Sequence, residues 1–144
     1  MIDMRRALAI DVSADAVFAY LADFTTTEGW DPGTVRTVRL SGDGGLGTRY
    51  LNTSRFAGRT SDLIYEVVAL KPGNSLQLRG ENASLIAVDT ITVTPHPSGR
   101  SLITYRIQFA FQGWLRWLEP LLRLPVTRLL DEGVSGLRRE LARI

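Results

Sequence analysis

Residues 101–112 read SLITYRIQFAFQ, and residues 114–144 read WLRWLEPLLRLPVTRLLDEGVSGLRRELARI. The first stretch alternates. Ile103, Tyr105, Ile107, Phe109 and Phe111 fall on one side, with Thr104, Arg106 and Gln108 on the other, the period of a half-buried strand. The second stretch switches to a helical period, with Leu118, Leu122, Leu129, Leu137 and Leu141 at helical spacing and arginines mostly around other faces. Pro120 suits a first turn, whereas Pro125 is expected to kink or interrupt the helix by removing a donor and crowding the preceding turn. A strand feeding a long amphipathic helix at the end of the chain sets the architecture.

Working back from residue 101, period-two segments recur at 35–41, 47–56, 60–70, 75–81 and 84–94, separated by short turns rich in Gly, Pro, Asn and Ser. Connections this short make antiparallel neighbours, because a parallel pair needs a crossover of about a dozen residues. A further β-compatible segment spans 4–11. Ser13 then stands as an N-cap before ADAVFAYLAD, and 24–31 reads as a short, broken helix ending at Pro32-Gly33. The expectation is an α+β fold in one domain over 1–144: a seven-stranded, curved antiparallel sheet gripping a long C-terminal helix, with two short helices after the first strand.

Composition narrows the chemistry. The 144 residues contain no Cys and one His, which excludes disulfide scaffolds, thiol nucleophiles and most zinc chemistry. Neither a metal nor a cofactor is expected. A net charge of +2 is too small to imply nucleic acid, although 16 of the 17 basic residues are Arg. No signal-peptide pattern or membrane-spanning run occurs, so the expected location is the cytoplasm, without stable membrane insertion. Gly42-Asp43-Gly44-Gly45-Leu46-Gly47 fits a dinucleotide-binding pattern literally, but a strand follows where that motif needs a helix, so it reads as a hairpin loop. His96, between two prolines, reads as an exposed turn residue. In Trp114-Leu115-Arg116-Trp117-Leu118 the residue types suit a membrane surface, yet packing on the protein's own sheet is the favoured reading.

The inner strand faces are either a solid core or the wall of a cavity. Read as a cavity, Tyr50, Asn52, Tyr65, Asp89 and Tyr105 supply a few polar groups among Val67, Leu78, Ile91, Ile107 and Phe109, and Leu122, Leu129 and Gly133 close it from the last helix. Asp89 is the odd member, since a buried carboxylate must be paired or protonated. It is the one weak catalytic candidate. A carboxylate satisfied by backbone amides or an Arg is the alternative.

The opening Ser13-Ala-Asp-Ala-Val-Phe-Ala-Tyr-Leu-Ala-Asp23, then Trp30-Asp31-Pro32-Gly33, Gly47-Thr48-Arg49-Tyr50, Tyr65-Glu66-Val67 and the Leu/Arg-rich last helix resemble the START-like, helix-grip superfamily. More narrowly they resemble the bacterial polyketide cyclase/dehydrase and lipid-transport family. The resemblance implies a cavity for a hydrophobic ligand, lined here by Trp30, Tyr50, Tyr65, Tyr105 and the last helix. Its members bind lipids, sterols, polyketides or plant hormones, and some catalyse cyclisation. The expected function is binding or carriage of a hydrophobic or amphipathic small molecule. The alternatives are a cyclase/aromatase-type enzyme in the same cavity, or a protein-interaction module using the outer sheet face.

Overall fold

The computed structural model describes residues 1–144. Seven strands run β1 (Ile2–Ile10), β2 (Thr34–Ser41), β3 (Arg49–Phe56), β4 (Arg59–Lys71), β5 (Ser75–Glu81), β6 (Leu85–Pro95) and β7 (Ser101–Phe111). Between β1 and β2 lie α1 (Ala14–Ala22), a 3₁₀ turn at Phe24–Thr26 and the single-turn α2 (Thr27–Trp30). After β7, a 3₁₀ segment over Gly113–Leu118 leads into α3 (Glu119–Leu141). This is the expected α+β architecture, in one sheet ordered β1-β7-β6-β5-β4-β3-β2.

Every pairing is antiparallel, and all but one join strands adjacent in sequence, as the short turns dictate. The exception is β1, which pairs with β7 from Ile2↔Phe109 to Ile10↔Ser101. Register shifts in β2–β3 and between Val67 and Ala69 of β4 break the ladder and curve the sheet. Alternation holds where it was clearest: Ile103, Tyr105, Ile107, Phe109 and Phe111 are buried, as are Ala87, Asp89, Ile91 and Val93 on β6. The 42–47 loop is a hairpin connection, with Gly42, Gly44 and Gly47 at positive φ, and strand β3 follows it.

Ser13 caps α1 by accepting from the Ala16 amide at 3.3 Å. The α3 helix runs unbroken through Pro125, against the expected interruption. Its missing amide would have bonded the carbonyl of Leu121, whose residue is 75% exposed, so water can serve that carbonyl. The buried stripe of α3 is Val126, Leu130, Gly133, Leu137 and Leu141, while Leu122 and Leu129 are half-buried at its flank.

Two glycines let elements approach closely. A Cβ at Gly136 would collide with the Trp30 carbonyl, so that glycine lets α2 seat directly on α3. Gly80 lies under the ring of its cross-strand partner Tyr65, where a Cβ would come within 2.7 Å of ring carbons. No helix is long and apolar enough to cross a membrane.

Candidate functional site

Between the curved sheet and α3 lies an internal cavity of about 70 Å³. Its apolar wall includes Phe24, Phe56, Leu63, Ile107, Phe109 and Leu130, and its polar wall includes Asp31, Asn52, Tyr65, Asp89 and Tyr105. The pleat explains the polar grouping. Asp89 sits opposite Ile107 and Tyr105 opposite Ile91, so Asp89 and Tyr105 are diagonal neighbours on the inner face. A tyrosine spans that diagonal, and the Tyr105 hydroxyl donates to Asp89 Oδ2 at 3.2 Å.

No amide and no arginine reaches Asp89, so the amide- or Arg-satisfied alternative is overturned. That single bond is its only protein partner. Burial, the dominant effect, pushes the Asp89 carboxyl up to about 7; Tyr105 opposes the shift and the nearby Asp31 adds to it. Tyr65 and Tyr105 are both held well above the usual phenol range, first by burial and then by the charge of Asp89. Asp31 is also raised by burial, although it accepts from the Gly33 amide at 3.0 Å and the Thr34 hydroxyl at 2.9 Å. The cavity therefore holds two carboxyl groups that burial drives toward the neutral form, with two neutral phenols. No group of three or more His, Asp or Glu side chains is placed to hold a metal ion.

Asn52 has a structural task as well. Its amide donates to Thr37 Oγ1 at 2.9 Å, Thr37 bonds Thr27 Oγ1 at 2.7 Å, and Thr27 donates to the Phe24 carbonyl at 2.7 Å. This buried chain ties α2 to β2 and β3 and fixes Phe24 and Asp31 at the cavity. Trp30 packs behind Tyr105 in the core beside the cavity, its ring edge-on at 5.6 Å between centroids.

Phe56 stands at the mouth. It stacks on Phe111 at 6.1 Å and meets Phe109 edge-on at 6.3 Å. Two open grooves share it with the cavity. One, of about 340 Å³, is lined by Arg59, Leu85, Leu115 and Leu122, and the other, of about 280 Å³, by Arg55, Leu124, Pro125 and Leu129. Phe56 is thus the one side chain that borders the small inner cavity and both of the larger, more open grooves.

The sequence profile described as polyketide cyclase / dehydrase and lipid transport matches residues 1–142. The chain belongs to that family. No curated protein sequence matches it. Among solved structures, the Zhui aromatase/cyclase from Streptomyces sp. R1128 superposes with a TM-score of 0.84 at 14% identity, covering 99% of this chain and 94% of that one. A START superfamily protein from Mycobacterium smegmatis gives 0.83 at 11% identity, covering 98% and 97%. A truncated norcoclaurine synthase from Thalictrum flavum gives 0.67 at 16% identity, covering 94% and 92%. At these identities the likeness establishes the helix-grip fold and not the chemistry.

Of the residues expected at the site, Asn52, Tyr65, Asp89, Tyr105, Ile107, Phe109, Leu129 and Gly133 line this cavity. Leu122 lines the larger groove at its mouth. Trp30, Tyr50, Val67, Leu78 and Ile91 are buried in the solid core beside it. Sequence reasoning passed over Phe24, Thr27 and Asp31, which belong to the irregular α1–β2 connection, and Phe56 and Leu85 at strand ends. The Asp-Pro-Gly turn was the available signal for Asp31, since such a turn fixes an Asp by its own backbone.

Proposed function

We propose that the protein binds a hydrophobic or amphipathic small molecule between the sheet and α3, its polar end against Asp89, Tyr65 and Tyr105. The observation that carries this reading is the mixed lining: Phe24, Phe56, Leu63, Ile107 and Phe109 share the cavity with Tyr65, Tyr105 and Asp89, and one oxygen of Asp89 is free of any protein donor. Apolar contact supplies affinity in such a site and a few polar groups set orientation. A volume of about 70 Å³ is well below the roughly 300–1,000 Å³ of ordinary ligand pockets. Entry therefore requires Phe56 to swing aside and join the cavity to a groove.

The test is uptake of the fluorescent dye 1-anilinonaphthalene-8-sulfonate, with displacement by long-chain fatty acids and fused-ring phenols, beside native mass spectrometry of the purified protein. Saturable uptake that Gly133→Leu abolishes, by filling the cavity from α3, supports the reading. Absence of dye uptake, of competitor effects and of any co-purifying mass would refute it.

The buried Asp89–Tyr105 pair favours a second reading, a cyclase-type enzyme. A carboxyl group titrating near neutrality can take a proton from an acidic carbon and return one to a leaving hydroxyl. Asp89→Asn should then abolish turnover while leaving dye binding largely intact. Unchanged turnover in that variant removes Asp89 from any mechanism.

A further inference from the structure

We propose that the segment from Gly113 through the first turns of α3 is a docking surface for a bilayer containing anionic lipid. Trp114, Trp117, Leu121 and Leu124 are 65%, 75%, 75% and 61% exposed. Trp114 and Trp117 are three apart on the 3₁₀ segment, and Leu121 and Leu124 are three apart on the first turns of α3, so each pair shares an exposed face. The favoured expectation, that this segment packs on the protein's own sheet, holds for Leu115 and Leu122 but leaves the tryptophans outside. Leu115 and Leu122 do the inward packing, along the larger groove with Phe56 and Leu85. The segment has two apolar faces, and only one is used by the protein.

Charge decides what covers the other. Arg55, Arg59, Arg116, Arg123 and Arg128 are exposed in or beside this segment and the grooves flanking it, and none forms an ion pair. The Arg116 guanidinium lies over the Trp117 ring at 5.1 Å from its centroid. Nearby acids are largely engaged: Glu119 binds the amino terminus at 2.8 Å and Asp131 binds Arg6 at 3.0 Å, leaving Glu132. Five unpaired arginines in a chain of net charge +2 are a local excess. Trp and Arg are also enriched in protein–protein interfaces, but a self-complementary seam with a second copy would set these five like charges against one another. An apolar stripe of Trp and Leu edged by Arg matches a membrane interface, where indoles sit at headgroup level and guanidinium groups meet phosphate. Because both grooves meet at Phe56, docking here would also set the cavity mouth against the lipid.

The experiment is co-sedimentation of the full chain with vesicles of phosphatidylcholine alone and of phosphatidylcholine mixed with phosphatidylglycerol. Binding to the mixed vesicles alone, weakened by salt and accompanied by a blue shift of tryptophan emission, is expected. Trp114→Ala with Trp117→Ala should abolish it without altering the melting temperature, since both side chains are exposed. Arg116→Gln with Arg123→Gln should weaken it about 25-fold, roughly fivefold for each arginine. Failure to bind anionic vesicles at low salt overturns the proposal. So does binding that neither double variant changes. A dimer in light scattering that the tryptophan variant dissociates, with no vesicle binding, assigns the surface to a second copy and overturns it equally.

Discussion

Replacing Asp89 with Asn should raise stability, and the gain should grow with pH. The carboxyl is pushed from 3.8 up to about 7 by burial on the inner face of β6. Well below pH 3.8 it carries its proton in both the folded and the unfolded chain. Between 3.8 and about 7 the unfolded chain releases the proton and the folded one keeps it, so stability falls as pH rises. Above that range both states are ionised and the loss is complete. About three pKa units at 1.36 kcal/mol each set a ceiling of roughly 4 kcal/mol. Local relaxation and water entry at the cavity reduce the realised value to about 2–4 kcal/mol. Asn keeps the shape and an oxygen that can accept from Tyr105, but it never ionises. Urea unfolding of both proteins at a series of pH values from 4 to 8 should therefore show near-equal stability at the acid end, with the variant pulling ahead through pH 6. For a chain of this length the gain at the alkaline end is roughly 6–12 °C in melting temperature. Tyr65 and Tyr105 stay neutral throughout, and Asp31 contributes to both profiles, so the difference between them isolates Asp89. Parallel profiles across this range would show that Asp89 is solvated in the folded state and would refute the reasoning.

Two glycines three residues apart in α3 should respond oppositely. At Gly133 a Cβ meets Trp30 and Tyr105 at 3.7 and 3.8 Å, ordinary contact, so Gly133→Ala should stabilise by up to about 1 kcal/mol through helix propensity. Gly136→Ala should destabilise by about 3 kcal/mol or more, because its Cβ meets the Trp30 backbone and α2 must move off α3; thermal denaturation of both checks the pair. Phe56→Ala removes the partition at the cavity mouth and should speed dye association in stopped flow by about tenfold or more, at a stability cost of about 2–3 kcal/mol for the lost ring contacts. An unchanged association rate would mean that entry does not pass Phe56.

The strands were legible because alternation is a local property, and β7 shows it through five successive inward residues. The same alternation made Asp89 visible as the one acid on an apolar face. Alternation fixes a face but not a position along the strand. Val67, Leu78 and Ile91 share the inner face with Tyr65, Asp89 and Tyr105, yet they lie in solid core. How far each level of the sheet is filled depends on the helices that cover it, and no strand pattern encodes that. Asp31 and Phe24 reach the cavity only because α2 seats against Gly136, a contact across about a hundred residues of chain. Leucine spacing alone does not give the buried face of α3, because Val126, Leu130 and the glycines complete it and Leu129 stands at its flank, against the cavity. In Trp114-Leu115-Arg116-Trp117 the residue types were plain, but only the fold shows that Leu115 takes the inward side and leaves the indoles outside.

The pairing of β1 with β7 bears on how the chain is made. Strand β1 leaves the ribosome ahead of the other six strands of this sheet, carrying Ile2, Leu8 and Ile10, all buried in the finished fold. Its only partner follows about a hundred residues later, a delay of roughly 5–20 s at ordinary rates of synthesis. Meanwhile β2 to β6 can zip up hairpin by hairpin as they appear. The β1 segment must therefore wait unpaired, apolar and available to a chaperone until β7 appears, and their pairing then closes the sheet.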